Sequence, residues 1–375
     1  MQRNSAERAL DRNLPGESGP GRRAFLARAV GLGGLLVAGG PLLAACGSSG
    51  SSSSAAASGG PASGKASLGT AALRLGWVKN VEFAGSYLAD SKGYYAAEGF
   101  SKVTLIPGGP SAPSAEADVS GGKALLGLSS PDITGAAILK GAKLKIVAAQ
   151  YQANPYAILS MASNPIASPQ DMYGKKIGVQ AINESIWNAF LKAAKLDASK
   201  ITKVPVQFDP TPLTQGQVDG WFSYITNEPN ALRAKGLSVV TFALADHDYP
   251  MVSSVYVATD EAIKTKREAI KALLRAEIRG WKDNLGDPAA GAKLAAETYG
   301  KDLGLDEAEQ VLESKSENDL IVTADTRKNG IFTVTDDLVA KSIATLKIAG
   351  VDITSAQLFD LSLINEIYQA DPSLV

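Results

Sequence analysis

Residues 73–106 read LRLGWVKNVEFAGSYLADSKGYYAAEGFSKVTLI, and this stretch decides the fold class. The short β-rich run Leu73–Trp77 predicts a strand, Gly85–Ala97 predicts an amphipathic helix, and Lys102–Ile106 predicts a second strand. Strands that alternate with helices in this way are typical of α/β layers. The stretch therefore predicts an α/β fold.

The same alternation continues to the end of the chain. Further strands are predicted at Ala124–Leu128, Leu144–Ala149, Ile158–Ala162, Lys176–Gln180, Val204–Phe208, Gly220–Tyr224, Val239–Phe242 and Ser253–Thr259. Helices are predicted at Ala117–Gly122, Pro131–Lys140, Ser185–Leu196, Thr211–Gln217, Asp260–Leu285, Ala289–Tyr299, Asp306–Ser314, Asp336–Ala349 and Ser355–Ile367. We expect two lobes with a cleft between them: residues 71–158 with 253–375 in lobe one, and residues 159–252 in lobe two.

The first 46 residues have the anatomy of an export signal. Arg22 and Arg23 precede an uncharged stretch that ends in LLAACG at residues 42–47, and such a segment is typical of secreted proteins. Its paired arginines resemble a twin-arginine signal, although the general secretory route also fits. The ending resembles the lipobox of bacterial lipoproteins, which implies lipidation at Cys46 and anchoring to the outer face of the cell membrane. Residues 47–70 are rich in Gly, Ser and Ala and predict a flexible tether.

Composition excludes several classes of protein. The chain has 37 basic and 38 acidic residues, a net charge of -1, which argues against a nucleic-acid partner. Cys46 is the only cysteine, so the chain has neither an internal disulfide nor a cysteine cluster for zinc or iron–sulfur. We therefore expect no metal and no cofactor.

Several motifs together resemble one family. They are WVKNVEFAGSYLA at 77–89, KGYYAAEG at 92–99, SGGKALLGLSS at 120–130, GKKIGV at 174–179 and NEP at 227–229. The set is similar to the periplasmic-binding-protein-like family of ABC importer substrate-binding proteins, which serves nitrate, sulfonate, taurine, thiamine-pyrimidine and riboflavin importers. The resemblance implies a two-lobed (type II) periplasmic-binding-protein-like fold with the ligand between the lobes. It also implies that the protein delivers a small molecule to an ABC transporter permease.

Ligands of open α/β sheets bind beyond the carboxyl ends of the strands. The candidate ligand-binding residues are those in or beside the corresponding loops: Trp77, Asn80, Glu82, Phe83, Ser129, Ser130, Tyr151, Asn183, Glu184, Trp187, Trp221, Tyr224, Asn227, Glu228 and Tyr249. They are rich in aromatic rings, which stack on flat rings, and in carboxylates, which accept hydrogen bonds from N–H groups and repel anions. The pattern favours an aromatic nitrogen heterocycle of the thiamine-precursor pyrimidine or riboflavin type; the alternative is an alkanesulfonate, taurine or nitrate.

Some of these residues have simpler structural interpretations. Trp77 and Trp187 also suit a hydrophobic core, Asn80 a helix cap, and Glu184 the first turn of a helix, where the dipole favours an acid. Phe83 stands where thiamine-pyrimidine members of the family often have His, which shifts the expectation towards a larger ring such as riboflavin. The family also includes thiamine-pyrimidine synthase enzymes, but these need a cysteine-rich motif and a donor histidine. The only histidine, His247, lies in an acidic loop, so we expect a binding protein rather than an enzyme.

Overall fold

The computed structural model describes residues 67–109 and 111–375. The predicted export signal, the lipidation site Cys46 and most of the predicted tether lie outside the described residues. The first strand begins at Gly69, so the predicted boundary of the tether at residue 70 is two residues too late: Gly69 and Thr70 already pair with the neighbouring strand. Within the described ranges, no helix combines the length and the apolar character that a membrane span requires.

Ten strands form two sheets of five within the described residues. The strands are β1 Gly69–Arg74, β2 Phe100–Ile106, β3 Leu126–Ser129, β4 Leu144–Tyr151, β5 Tyr156–Met161, β6 Lys176–Gln180, β7 Thr202–Val206, β8 Gly220–Tyr224, β9 Val239–Ala243 and β10 Ser253–Thr259. The first sheet has the order β2-β1-β3-β10-β4 and the second has β7-β6-β8-β5-β9. In each sheet one strand, β10 or β5, runs antiparallel to both of its neighbours, and the other pairs are parallel.

Helices cover the sheets. They are α1 Ala84–Ser91, α2 Tyr94–Ala97, α3 Ala115–Ser120, α4 Pro131–Leu139, α5 Glu184–Ala193, α6 Thr211–Thr214, α7 Glu228–Ala234, α8 Asp260–Thr265, α9 Arg267–Gly286, α10 Pro288–Leu294, α11 Glu307–Ile321, α12 Ala324–Asn329, α13 Asp336–Ile348, α14 Ser355–Leu358 and α15 Ser362–Ala370. A π-helical turn, Ala295–Tyr299, continues α10, and a 3-10 turn, Val81–Phe83, precedes α1.

Several predicted helices are wrong in extent. The helix predicted at Gly85–Ala97 is two helices, because Gly93 adopts a left-handed φ of 73° between α1 and α2. The long helix predicted from Asp260 breaks at Lys266, whose φ of -123° is outside the helical range. The last predicted helix is interrupted at Phe359, which forms a parallel bridge with Ile146 of β4. Helices α7 and α12 were not predicted, and α11 is longer than predicted.

The chain crosses between the two sheets twice, after β4 and before β10. Asn154 in the first crossing is buried, and its Nδ2 donates to the carbonyl of Tyr249 in the second crossing at 2.6 Å. Its Oδ1 accepts from the amide of Tyr156 at 3.2 Å. One side chain therefore ties the two crossing segments together.

The core of the first sheet contains a fully satisfied buried carboxylate. Glu277 of α9 is completely buried and accepts hydrogen bonds from the hydroxyls of Ser86 at 2.7 Å, Tyr256 at 2.8 Å and Tyr95. Burial raises the pKa of Glu277, and the three hydroxyls partly offset this. These bonds join α1, α2 and β10 to α9, so the carboxylate has a structural role.

Candidate functional site

Helix α11 lies at the carboxyl ends of strands from both sheets. It packs against the 3-10 turn that follows β1, against β4, and against α7 of the second sheet. On the first side, Gln310 Oε1 accepts from the amide of Val81 at 2.8 Å. On the second side, Asn230 Nδ2 donates to Ser316 Oγ at 2.7 Å. This helix therefore brings side chains from both sheets to one place.

Four carboxylates meet there, and we call them the acidic cluster: Glu82, Glu228, Glu313 and Glu317. Burial raises the pKa of Glu82 to about 7 and that of Glu228 to about 7. The pKa values of Glu313 and Glu317 are also raised well above the usual range, first by burial and then by neighbouring carboxylates. Among the described residues, none of the four takes part in an ion pair. The cluster is negative whenever it is ionised.

The cluster extends across both sheets through its tyrosines. The pKa of Tyr224 at the end of β8 is raised by burial and then by the charge of Glu82, which comes from the other sheet. Asp132 at the start of α4 contributes to the same effect, and burial raises its own pKa. The Tyr151 hydroxyl at the end of β4 neighbours Glu317 and lowers that carboxyl's pKa, although no hydrogen bond of normal geometry joins them.

Buried acceptors around the cluster lack partners. Both carboxylate oxygens of Glu317, Oε1 of Gln150 and Oδ1 of Asn80 are buried without a hydrogen bond, as is the hydroxyl of Tyr151. Leaving a buried polar group unpaired costs about 1–3 kcal/mol. Apart from the tyrosine these atoms can only accept hydrogen bonds, so the missing partner is a donor.

Glu228 is held by the second sheet. It begins α7, and its Oε2 accepts from the backbone amide of Tyr224 at 2.9 Å. The indole of Trp221 neighbours the carboxylate and partly offsets the effect of burial on its pKa. The backbone of the second sheet thus fixes one oxygen of Glu228. The charge of the Glu228 carboxylate also raises the pKa of Glu313 in α11.

The aromatic candidates separate into two groups. Trp77 is partly buried and its ring lies 5.7 Å from that of Phe208, at 58°. Phe208 follows β7 of the second sheet and is 42% exposed, so this contact joins the two sheets. Tyr224 is partly buried and stands edge-on to Tyr156 at 5.3 Å. The remaining aromatic candidates are buried in hydrophobic clusters: Phe83, Tyr151, Trp187, Trp221 and Tyr249.

The structure does not bring Glu184 to the acidic cluster. Its side chain is exposed and pairs with Lys203, as the simpler interpretation of a first-turn acid predicts. Asn183 donates to Gln180 Oε1 at 2.9 Å, and Asn227 precedes α7 without a side-chain cap. Ser130 donates to Asp132 at 2.5 Å, which places this serine near the cluster.

Ser129 contacts a different carboxylate. Its hydroxyl donates to Oε1 of Glu116, an oxygen that also accepts from Thr134 at 2.8 Å. Sequence reasoning missed Gln310, Glu313 and Glu317 because it sought site residues only in the loops that follow strands, and Glu317 also lay beyond the predicted end of the helix at Ser314. Positions 310, 313, 314, 317 and 321 form one buried face of α11, but four of these five residues are polar and give no apolar pattern in the sequence.

A separate cavity of about 520 Å³ lies at the amino end of β1. Its lining includes Leu68, Phe100, Lys264 and Arg267. This is the opposite end of the strand from the acidic cluster, and ligands of α/β sheets bind at the carboxyl ends. We therefore assign the site to the cluster rather than to this cavity.

Comparisons with known proteins identify the family of this chain. A family model described as NMT1/THI5 like matches residues 80–291. The riboflavin-binding protein RibY of Chloroflexus aurantiacus is 28% identical over 236 residues, which cover 59% of this chain and 64% of that protein. The formylaminopyrimidine-binding protein of Halalkalibacterium halodurans is 25% identical over 232 residues, or 60% of this chain and 70% of that protein. The match thus spans slightly less than two thirds of the first relative's length.

Solved structures confirm the predicted fold. The periplasmic aliphatic sulphonate binding protein SsuA of Escherichia coli superposes with a TM-score of 0.57 at 20% identity, covering 74% of this chain and 86% of that one. The desulfurization enzyme DSZB superposes with a TM-score of 0.55 at 13% identity, covering 80% of this chain and 99% of that one. The chain therefore has the α/β periplasmic-binding-protein fold, and since that fold serves binders and an enzyme alike, function has to be argued from the site.

Proposed function

The chain belongs to the NMT1/THI5-like family, and from this we propose that it is the extracytoplasmic solute-binding protein of an ABC importer. Its ligand is an aromatic nitrogen heterocycle that carries N–H donors, of the pyrimidine or riboflavin type. The two curated relatives bind ligands of these two types, which favours binding over catalysis. The closed, ligand-loaded form would dock on the membrane permease.

One observation carries the choice of ligand: the acidic cluster has unpartnered acceptors and no ion pair within the described residues. Ring N–H and exocyclic amino groups are donors that would pair with these acceptors. Sulfonate and nitrate are anions, and buried carboxylates nearby would repel them. The likeness to SsuA concerns the fold and does not favour its ligand.

The two lobes, residues 71–158 with 253–375 and residues 159–252, would close around the ligand by a hinge motion. The crossing segments joined by Asn154 are suited to be that hinge. Trp77 and Phe208, which meet across the two sheets, would separate when the lobes open.

A ligand panel tests the proposal. Purified full chain would be mixed with riboflavin, with hydroxymethyl- and aminomethyl-pyrimidines, and with taurine and nitrate, and its thermal unfolding measured. A ligand at 100 times its Kd should add about 2.7 kcal/mol to the free energy of unfolding. We expect a heterocycle alone to raise the Tm; a rise with taurine or nitrate instead would reject the proposed ligand class.

The export route and the anchor are tested separately. We propose that Cys46 is lipidated after export and tethers the protein to the outer face of the membrane. Cys46→Ser should move the protein from the membrane fraction to the soluble extracytoplasmic fraction in its host. Continued membrane attachment of that variant would reject the lipid anchor, and blocking twin-arginine export would decide between the two routes.

A further inference from the structure

We propose that Glu313 and Glu317 of α11 form a subsite for a cationic group of the ligand, a protonated amine or a comparable charged N–H donor. This rests on the proposed function, because it assigns a part of the same cleft to one substituent of the bound molecule. It narrows the ligand to a cationic, amino-substituted heterocycle.

The first argument is the state of Glu317. This residue is completely buried, and neither of its carboxylate oxygens has a hydrogen-bond partner. Its helix neighbour Glu313, four residues earlier, is also buried and accepts from Asn80 at 3.2 Å and Gln310 at 2.9 Å. Like charges four residues apart on a helix repel each other. Among the described residues, no Lys, Arg or His forms an ion pair with either carboxylate to compensate this repulsion.

Unpartnered neutral acceptors surround the same spot. Gln150 is completely buried, its Nε2 donates to the backbone carbonyl of Glu82 at 3.3 Å, and its Oε1 has no partner. Asn80, which donates to Glu313, also keeps an unpaired Oδ1. The oxygen atoms of these two side-chain amides, like those of Glu317, receive no hydrogen bond. An ammonium group supplies three donors and one positive charge.

Two other buried carboxylates among the described residues, Glu277 and Glu98, are compensated. Glu277 receives three hydroxyl hydrogen bonds, and Glu98 is paired with Arg275 at 2.7 Å and with Arg279 at 2.9 Å. The fold thus provides donors where a buried carboxylate is structural. Glu317 has only the Tyr151 hydroxyl beside it, without a hydrogen bond of normal geometry, and we infer that its donor comes from outside the chain.

The group that we propose here is an organic cation rather than a metal ion. No group of three or more acidic, His or Cys side chains within the described ranges has an arrangement that could hold a metal. An organic cation is larger and needs only hydrogen-bond acceptors at ordinary distances. Helix α11 lies beyond residues 80–291, the part that matches the family model.

The test compares an amine with the matching alcohol. Calorimetry at pH 7.5 on the full chain would use 5-aminomethyl- and 5-hydroxymethyl-4-amino-2-methylpyrimidine, which differ in one charged group. We expect the amine to bind about tenfold more tightly, and Glu317→Gln to abolish most of this difference while leaving the alcohol's affinity within about twofold. Glu307→Gln, which removes an exposed charge from the same helix, should leave the difference unchanged.

Stability distinguishes a ligand subsite from a structural role. Glu317→Gln removes an uncompensated buried charge, so the ligand-free variant should unfold at the same or a higher urea concentration than the wild type. A lower unfolding midpoint together with an unchanged preference for the amine would overturn the proposal.

Benzylamine and benzyl alcohol separate this proposal from the proposed function. If pyrimidines bind but the amine and the alcohol bind equally, the subsite is rejected and the binding role stands. A second outcome is that no heterocycle binds, but benzylamine stabilises the protein more than benzyl alcohol and Glu317→Gln removes this difference. The heterocycle is then rejected and the subsite stands. If neither benzylamine nor any heterocycle binds, both are rejected.

Discussion

Raising the pH from 5 to 8 should destabilise the ligand-free protein, and the acidic cluster is the reason. Burial raises the pKa of Glu82 and of Glu228 to about 7, from a value of 4.5 for the free side chain. A carboxyl with a raised pKa holds its proton more tightly in the folded than in the unfolded state. Its contribution to stability is therefore complete below pH 4.5 and is lost as the pH rises through 7.

The size of the loss follows from the two pKa values. A change from 4.5 to about 7 corresponds to roughly 3 kcal/mol for each carboxyl. Both side chains keep some contact with solvent, which reduces this to about 1–2 kcal/mol each. Glu313 and Glu317 shift in the same direction. We expect the free energy of unfolding to fall by roughly 2–4 kcal/mol between pH 5 and pH 8.

Burial also raises the pKa values of Asp132, Glu277 and Glu309, which therefore act in the same direction as the cluster, whereas carboxylates with lowered pKa values do not affect this window. Asp118 and Asp283 have lowered pKa values, so the stability they contribute is present above the unfolded pKa of about 3.9 and is lost only at lower pH. Between pH 5 and pH 8 their contribution is nearly constant. The slope in that window therefore reports the raised carboxyls.

The assay is urea unfolding followed by tryptophan fluorescence at pH 5, 6, 7 and 8. The double variant Glu82→Gln/Glu228→Gln should show a distinctly flatter profile than the wild type. A wild-type stability that is constant or rises from pH 5 to 8 would refute the reasoning, because it would mean that these carboxylates are compensated or solvated in solution.

Three further predictions follow from particular contacts. Gly280→Ala should destabilise the fold by about 2 kcal/mol or more, because the new Cβ would lie 2.0 Å from a backbone oxygen of α1. The control is Gly286→Ala on the same helix: its new Cβ would lie in open space, so the urea midpoint should remain nearly unchanged. Asn154→Ala should cost roughly 1–3 kcal/mol in the same assay, because it removes the bond to Tyr249 that joins the crossing segments and the local bond to the Tyr156 amide. Glu228→Gln should weaken heterocycle binding about tenfold in calorimetry without unfolding the protein, and an unchanged affinity would remove this residue from the site.

The general fold could be predicted because its strands are short apolar runs. The predicted Lys176–Gln180, Gly220–Tyr224 and Ser253–Thr259 coincide with β6, β8 and β10. Buried strands of this kind carry their signal locally, in β-branched and aromatic residues between turn residues. The breaks within helices were harder to predict, because Lys266 has ordinary helix propensity and its non-helical φ of -123° is not specified by its residue type.

Glu313 and Glu317 could not be predicted as site residues. Their helix reads EAEQVLESKSENDLI, a polar sequence that locally resembles a solvated helix. Only the packing of α11 against the turn after β1 and against β4 buries its acidic face. Conversely, Glu184 has the appearance of a site residue in the sequence, yet its side chain lies on the surface beside Lys203. Sequence reports the residue type, whereas tertiary contacts determine its burial.

The unsatisfied groups of the cluster link stability to function. Without ligand, the unpaired oxygens of Glu317 and Gln150 each cost about 1–3 kcal/mol, and the repulsion between Glu313 and Glu317 adds to this. A bound cation that pairs with these oxygens would remove this free-energy cost in the closed form. The ligand would therefore selectively stabilise the closed form. Glu313 and Glu317 lie on one helix and stay together whether or not the cleft closes, whereas Glu228 approaches them from the second sheet. A cation bound between these carboxylates would therefore offset the repulsion that closure creates. On this argument, Glu317→Gln should leave the empty protein at least as stable as the wild type and should weaken the coupling between binding and closure.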